Sequence, residues 1–205
     1  MELTAVFELW HLGDGNYPPF HEGQIVNLSF ELEPDVPLRQ SDLGESLAFK
    51  SLGSAEYAFC AEVIRNYAID SQEDLIVLST ADFRFYICSP QVRELRHAQV
   101  VCGVGTLVLD HYSWVENLES YTDPPDLFYN LRVSRIWLVR IPERFVSRYE
   151  DGKSLPTRIC QRELEPGTLK QITTMEGLQD DEAFCIVEFT DAGLNGIAVP
   201  KTFLS

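Results

Sequence analysis

Val26-Asn27-Leu28-Ser29-Phe30-Glu31-Leu32-Glu33 decides the fold class, because apolar and polar side chains alternate through it without exception. Successive side chains of a β-strand point to opposite faces. The octet therefore predicts one strand with a buried apolar face and with Asn27, Ser29, Glu31 and Glu33 turned to solvent. Upstream, Leu3 to Trp10 is apolar at nearly every position, with Glu8 on one face, which predicts a mostly buried strand. Leu12-Gly13-Asp14-Gly15-Asn16-Tyr17-Pro18-Pro19 is a dense cluster of turn residues between the two. The two strands are expected to pair antiparallel across this loop.

The same period of two recurs downstream. Residues 33–53 read as a loop excursion, with two prolines, two glycines and several polar residues. In Tyr57–Ile69, residues Tyr57, Phe59, Ala61, Val63, Tyr67 and Ile69 share a face. Leu75–Leu78 and Phe83–Cys88 are short strands, and Val100–Asp110 is a further one whose Gly103 and Gly105 predict a bulge or strong bend. Phe128–Ile141 places Tyr129, Leu131, Val133, Trp137, Val139 and Ile141 on one face. Pro142 suits the first turn of a short helix with Phe145, Val146 and Tyr149 inward, and Gly152 suits the position past its end. Ala183–Thr190 and Ile197–Val199 read as closing strands. The expected fold is mainly β, an antiparallel sheet, sandwich or barrel-like, with one or two short helices. Asp123-Pro124-Pro125-Asp126 marks the best boundary. It divides the chain into an acidic half, 1–122, and a second β-rich half, 127–205, unless the two form one continuous domain.

The 205 residues carry 32 acidic and 16 basic side chains, a net charge of −16. Such a surface repels phosphate backbones and argues against nucleic acid as a partner. The charge is unevenly placed. Residues 1–126 hold 21 acids and 6 bases, whereas residues 127–170 hold 9 bases and 5 acids. Glu8 interrupts the first apolar stretch, no basic segment precedes it, and no apolar run approaches the roughly 20 residues of a membrane span. A cytoplasmic location is expected. Cys60, Cys88, Cys102, Cys160 and Cys185 each follow a bulky apolar residue, without any C-x-x-C, and read as free thiols packed in strands.

Tests for familiar chemistry fail. There is no G-x-S-x-G and no H-E-x-x-H, and Gly103-x-Gly105 lacks the third glycine and the following helix of a dinucleotide site. Gly152-Lys153-Ser154 lacks the earlier glycine of a phosphate loop, where Ser147 stands. His11, Asp14, His21 and Glu22 place two imidazoles and two carboxylates within one loop, as a divalent metal would need. Their spacing fits no strong zinc pattern, and ordinary strand and turn roles account for them better. Asp110 and His111 are neighbours on a strand and face opposite ways, so the plainer reading is a strand end with a partly exposed aromatic stripe that includes Tyr112 and Trp114. No cofactor and no metal is expected.

The leading expectation is a non-enzymatic interaction module, an acidic inhibitor or immunity-type protein that binds a basic partner. Its surface would comprise Glu31, Glu33, Asp35, Asp42, Glu45, Asp70, Glu73 and Asp74. A basic segment with interleaved aromatics, including Arg140, Arg144 and Arg148, forms a second candidate surface. The alternatives are a metal-assisted hydrolase using the His11–Glu22 loop, and a self-assembling structural component joined by an unpaired edge strand.

Overall fold

The computed structural model of the chain describes residues 1–15, 17–41, 45–69, 74–95, 97–110, 113–140, 169–178 and 183–192. It is mainly β, as the period of two requires. Two compact units divide it: Met1–Asn27 together with Asn130–Ser205, and Leu28–Tyr129. The junctions thus fall at 27/28 and 129/130, and residues 1–27 group with the C-terminal part instead of with the acidic half. No helix among the described residues is long and apolar enough to cross a membrane.

In the first unit, β1 (Glu2–Glu8), β10 (Tyr129–Arg140), β11 (Leu169–Ile172) and β12 (Ala183–Asp191) form the order β11-β10-β12-β1. β2 (Ile25–Leu28) also pairs with β10. The expected pairing of the first two strands is not made. β1 lies antiparallel to β12, from Glu2 opposite Thr190 to Glu8 opposite Phe184. A bulge between Val133 and Arg135 shifts the register of β10. The buried face accordingly passes from Leu131 and Val133 to Ile136 and Val139. Trp137, expected inward, is half-buried, and its Nε1 donates to Glu188 Oε1 at 2.8 Å. The helix expected after Pro142 and the strand Ile197–Val199 lie outside the described residues.

In the second unit, five strands close a small barrel. β3 (Phe30–Pro34), β8 (Arg84–Ser89), β7 (Asp74–Ser79), β6 (Glu56–Ala68) and β9 (Val100–Leu109) follow one another, and β9 pairs with both β3 and β6 to complete the ring. Only β3 and β8 run parallel in it, with Glu31 opposite Tyr86. β5 (Ala48–Gly53) extends the sheet beyond β6, and β4 (Arg39–Ser41) pairs with β9. Phe49, Phe59, Phe83 and Phe85 pack against one another, with ring centroids 4.8–5.8 Å apart, and supply much of the apolar burial that holds the barrel. The register of β9 runs unbroken along both neighbours, so Gly103 and Gly105 mark no bulge there. They permit close approach. A Cβ on Gly105 would collide with the Glu33 carbonyl, and one on Gly103 would lie 2.8 Å from Leu38 Cδ2.

A second layer covers one outer face of this barrel. Trp114 and Leu127 are fully buried against Leu75, Val77 and Tyr86, with Tyr67, Tyr121 and Phe128 around them. Residues 113–128 are therefore a structural cover. This explains why Leu75–Leu78 is apolar at every position: β7 has a covered face on both sides.

Candidate functional site

The octet that opens the sequence splits at Ser29 into β2 and β3, and its polar residues do not all face solvent. Glu31 is only 7 % exposed. The Tyr86 hydroxyl contacts Glu31 Oε2 at 3.0 Å and makes a short hydrogen bond to Asp110 Oδ1. A phenol has one proton to donate, so one of its two carboxylate contacts must come from a protonated acid. Burial, followed by the charges of Glu33 and Asp110, pushes Glu31 up to about 8. Burial also raises Asp110, while its hydrogen bonds from Tyr86 and from backbone N–H groups oppose the rise. Glu31 is thus the protonated member near neutral pH and donates to the Tyr86 oxygen.

Asp110 carries this network outward. It accepts the Trp114 N–H at 3.2 Å, the Val115 N–H at 3.0 Å and the Ser29 hydroxyl at 3.3 Å. These bonds pin the start of the covering segment, which is then fixed at several further points. Tyr121 Oη donates to the Ser113 carbonyl at 2.7 Å and its ring stacks on Tyr67 at 4.3 Å. The Tyr67 hydroxyl reaches the carbonyls of Thr122 and Asp123, and Arg65 Nη2 pairs with the Asp123 carboxylate at 2.8 Å. The outer side presents Glu116, Glu119, Asp123 and Asp126, all exposed, and no basic residue occurs from 113 to 131. The geometry is an acidic shelf tied to the barrel by these contacts. Its anchor is legible in hindsight as Asp110 followed four residues later by Trp114, whose side chain is fully buried and not part of an exposed stripe.

The expected interaction residues fare unequally. Glu31 and Asp74 are buried, a correction to their placement on an exposed surface; Asp74 faces Arg93 Nε at 3.5 Å. Glu33 and Asp35 are part-exposed, and Glu45 is exposed. Asp42, Asp70, Glu73, Arg144 and Arg148 lie outside the described residues. Arg140 is exposed at the end of β10, Arg132 donates to the Gly23 carbonyl at 3.0 Å, and Arg135 lies 3.6 Å from Glu188.

His11, Asp14, His21 and Glu22 are not brought together as a ligand set. His11 does not continue β1; it sits in a one-turn helix, Trp10–Gly13, buried and stacked on Trp10 at 3.8 Å. Asp14 is exposed after that turn. His21 bridges to Thr174 and lies 3.7 Å from Glu176, while Glu22 accepts from Gln171 at 3.0 Å. The one group of three metal-type ligand atoms found among the described residues is Glu45, Cys60 and Cys102, within 4.8 Å of one another.

That group corrects the reading of five free thiols. Cys60 and Cys102 stand directly opposite on β6 and β9, with Cα atoms 4.1 Å apart, and are joined as a disulfide. Cys88 is half-buried, and burial pushes the buried Cys185 thiol up to about 12. Sequence reasoning missed the pair because the residues are 42 apart and only strand register reveals that they meet.

Comparison with family models, with curated proteins and with solved structures yields no match for this chain.

Proposed function

We propose that the chain is a non-enzymatic interaction module whose barrel unit docks a basic protein partner, in the manner of an acidic inhibitor or immunity-type protein. The observation that carries this reading is the shelf of Glu116, Glu119, Asp123 and Asp126, held in place by the buried Asp110 and Trp114. A preorganised loop loses little entropy on docking, and a one-signed surface accelerates encounter with an oppositely charged patch. The unit as a whole, residues 28–129, carries 17 acids against 6 bases. A cytoplasmic setting is compatible with this reading if Cys60 and Cys102 are there held as thiols, since reducing compartments keep few disulfides.

The test uses the wild type and the variant Glu116→Lys/Glu119→Lys/Asp126→Lys as paired baits in extract from the source cells. Partners are identified by mass spectrometry, purified, and their association followed by stopped flow across a salt series. A basic protein retained by the wild type and lost by the variant, with a rate that falls as salt rises, is the expected result. A partner that binds both baits equally, or a rate indifferent to salt, overturns the reading.

A further inference from the structure

We propose that Cys60, Cys102 and Glu45 form, once the cystine is reduced, a binding site for one soft divalent cation of the zinc type. The site is built by strand register. Ala48 of β5 lies opposite Cys60 of β6, Cys60 opposite Cys102 of β9, and Cys102 opposite Arg39 of β4. Directly paired residues project from the same face, so four side chains stand in a row across four strands. Glu45, three residues before β5, reaches the middle of this row.

The Glu45 Oε2 atom lies 3.2 Å from Cys60 Sγ and 3.2 Å from Cys102 Sγ. A cystine has no proton to give that oxygen. Two thiols have one each, and a cation satisfies all three atoms at once. In a tetrahedral zinc site with Zn–S of about 2.3 Å and Zn–O of about 2.0 Å, sulfur and oxygen ligands stand about 3.5 Å apart. The two S···O distances of the oxidised pair are within a few tenths of an ångström of that requirement, and breaking the disulfide frees the sulfurs to move to the roughly 3.8 Å that two thiolates on one such ion need. The sulfurs are buried beside Val100, whereas Glu45 is exposed, leaving the fourth position to water or to a ligand from solution. Two thiolates select a soft ion over magnesium or calcium.

Arg39 orients the carboxylate from behind. Its Nη1 donates to Oε1 at 3.0 Å and its Nη2 to Oε2 at 2.9 Å. This fork holds the carboxylate so that its Oε2 faces both sulfurs. On cation binding Arg39 keeps Oε1 and yields Oε2, the outer-shell role that fixes a ligand's direction. The chemistry balances. The cystine and two reductant thiols give two cysteine thiols and the reductant's disulfide, and the cation then displaces the two thiol protons. Oxidation and metal loading are mutually exclusive states of one site.

The test is anaerobic titration of the phosphine-reduced protein with Co2+, followed by Zn2+. We expect one equivalent of Co2+ per chain, a thiolate-to-cobalt charge-transfer band, and loss of the band when Zn2+ replaces cobalt. Cys60→Ser and Cys102→Ser should abolish the band, and Glu45→Gln should weaken binding about ten-fold while retaining it. A measurement on the wild type guards against variants that fail to fold. Bound Zn2+ should protect Cys60 and Cys102 from alkylation and leave Cys88 reactive. Absence of a cysteine-dependent band, absence of that protection, or equal affinity in Glu45→Gln overturns the site.

Discussion

Glu31 and Asp110 sit a short distance along the chain fold from Glu116 and Glu119, in the same unit, and the two pairs do opposite things. The inner pair is sealed under Trp114, where burial raises both acids and one proton is retained. The outer pair stands in water, on the surface proposed to meet a partner. Carboxyl groups of one unit become a structural rivet or part of that proposed docking surface according to what covers them. The inner set is the foundation of the outer one, because Asp110 holds the backbone from which the shelf projects.

The comparison breaks first at Asp110. Asp110→Ala removes the acceptor of two backbone N–H groups, the Ser29 hydroxyl and the Tyr86 hydroxyl, and leaves buried donors unpartnered. It should cost about 4 kcal/mol in urea unfolding, and a loss below about 1 kcal/mol would show that the network is not the rivet described.

Glu31→Gln sharpens the contrast through pH. The folded state holds the Glu31 proton up to about 8, against 4.5 for the ordinary carboxyl. Between those values the folded state binds more protons than the unfolded one, so this group's contribution to stability is full below 4.5 and falls as pH rises toward 8. Glutamine keeps the shape and a donor and cannot ionise. The variant should therefore flatten that decline and exceed the wild type at pH 9 by about 2–4 kcal/mol, read from denaturant midpoints across pH. Parallel pH curves for the two proteins would refute the protonated Glu31.

Smaller effects are expected outside. Arg65→Ala breaks an exposed pair with Asp123 and should cost less than about 1 kcal/mol, while hydrogen exchange at Tyr121 and Thr122 rises. Glu119→Lys should leave thermal stability within about 0.5 kcal/mol and act only on partner association. If it destabilised as much as Asp110→Ala, the division into rivet and surface would fail.

How far the sequence foretold this depends on the kind of fact. Period two named the strands because alternation is a local property: β3, β6, β7, β8, β9 and β10 fall where the apolar pattern puts them. Pairing is not local. β1 meets β12 across most of the chain, and nothing in Leu3–Trp10 specifies that partner above the nearer β2. Glu31 was misplaced for a related reason. Alternation says which face a residue shares, and not that a second layer built around Trp114 will cover the polar face. The acids of the shelf were visible only as charge, and their anchoring depends on the stacking of Tyr121 on Tyr67, which lies 49 residues before Glu116. The thiol pair was invisible because register, which no single strand contains, creates it.

The way the chain threads its two units has a consequence for biosynthesis. Asn27 and Asn130, the residues flanking the barrel unit, are hydrogen-bonded to each other at 2.9 Å, so the barrel is an insertion whose entry and exit lie side by side. As the chain emerges from the ribosome, residues 28–129 are complete while β1 still awaits β12, whose strand begins at Ala183. A domain can fold as soon as its own residues have emerged, but a discontinuous one must wait for its last piece. The barrel therefore matures first and gathers the two arms of the other unit to one place. The apolar β1 spends that interval unpaired, and this is the stretch of synthesis in which a chaperone or a premature stop would be felt most.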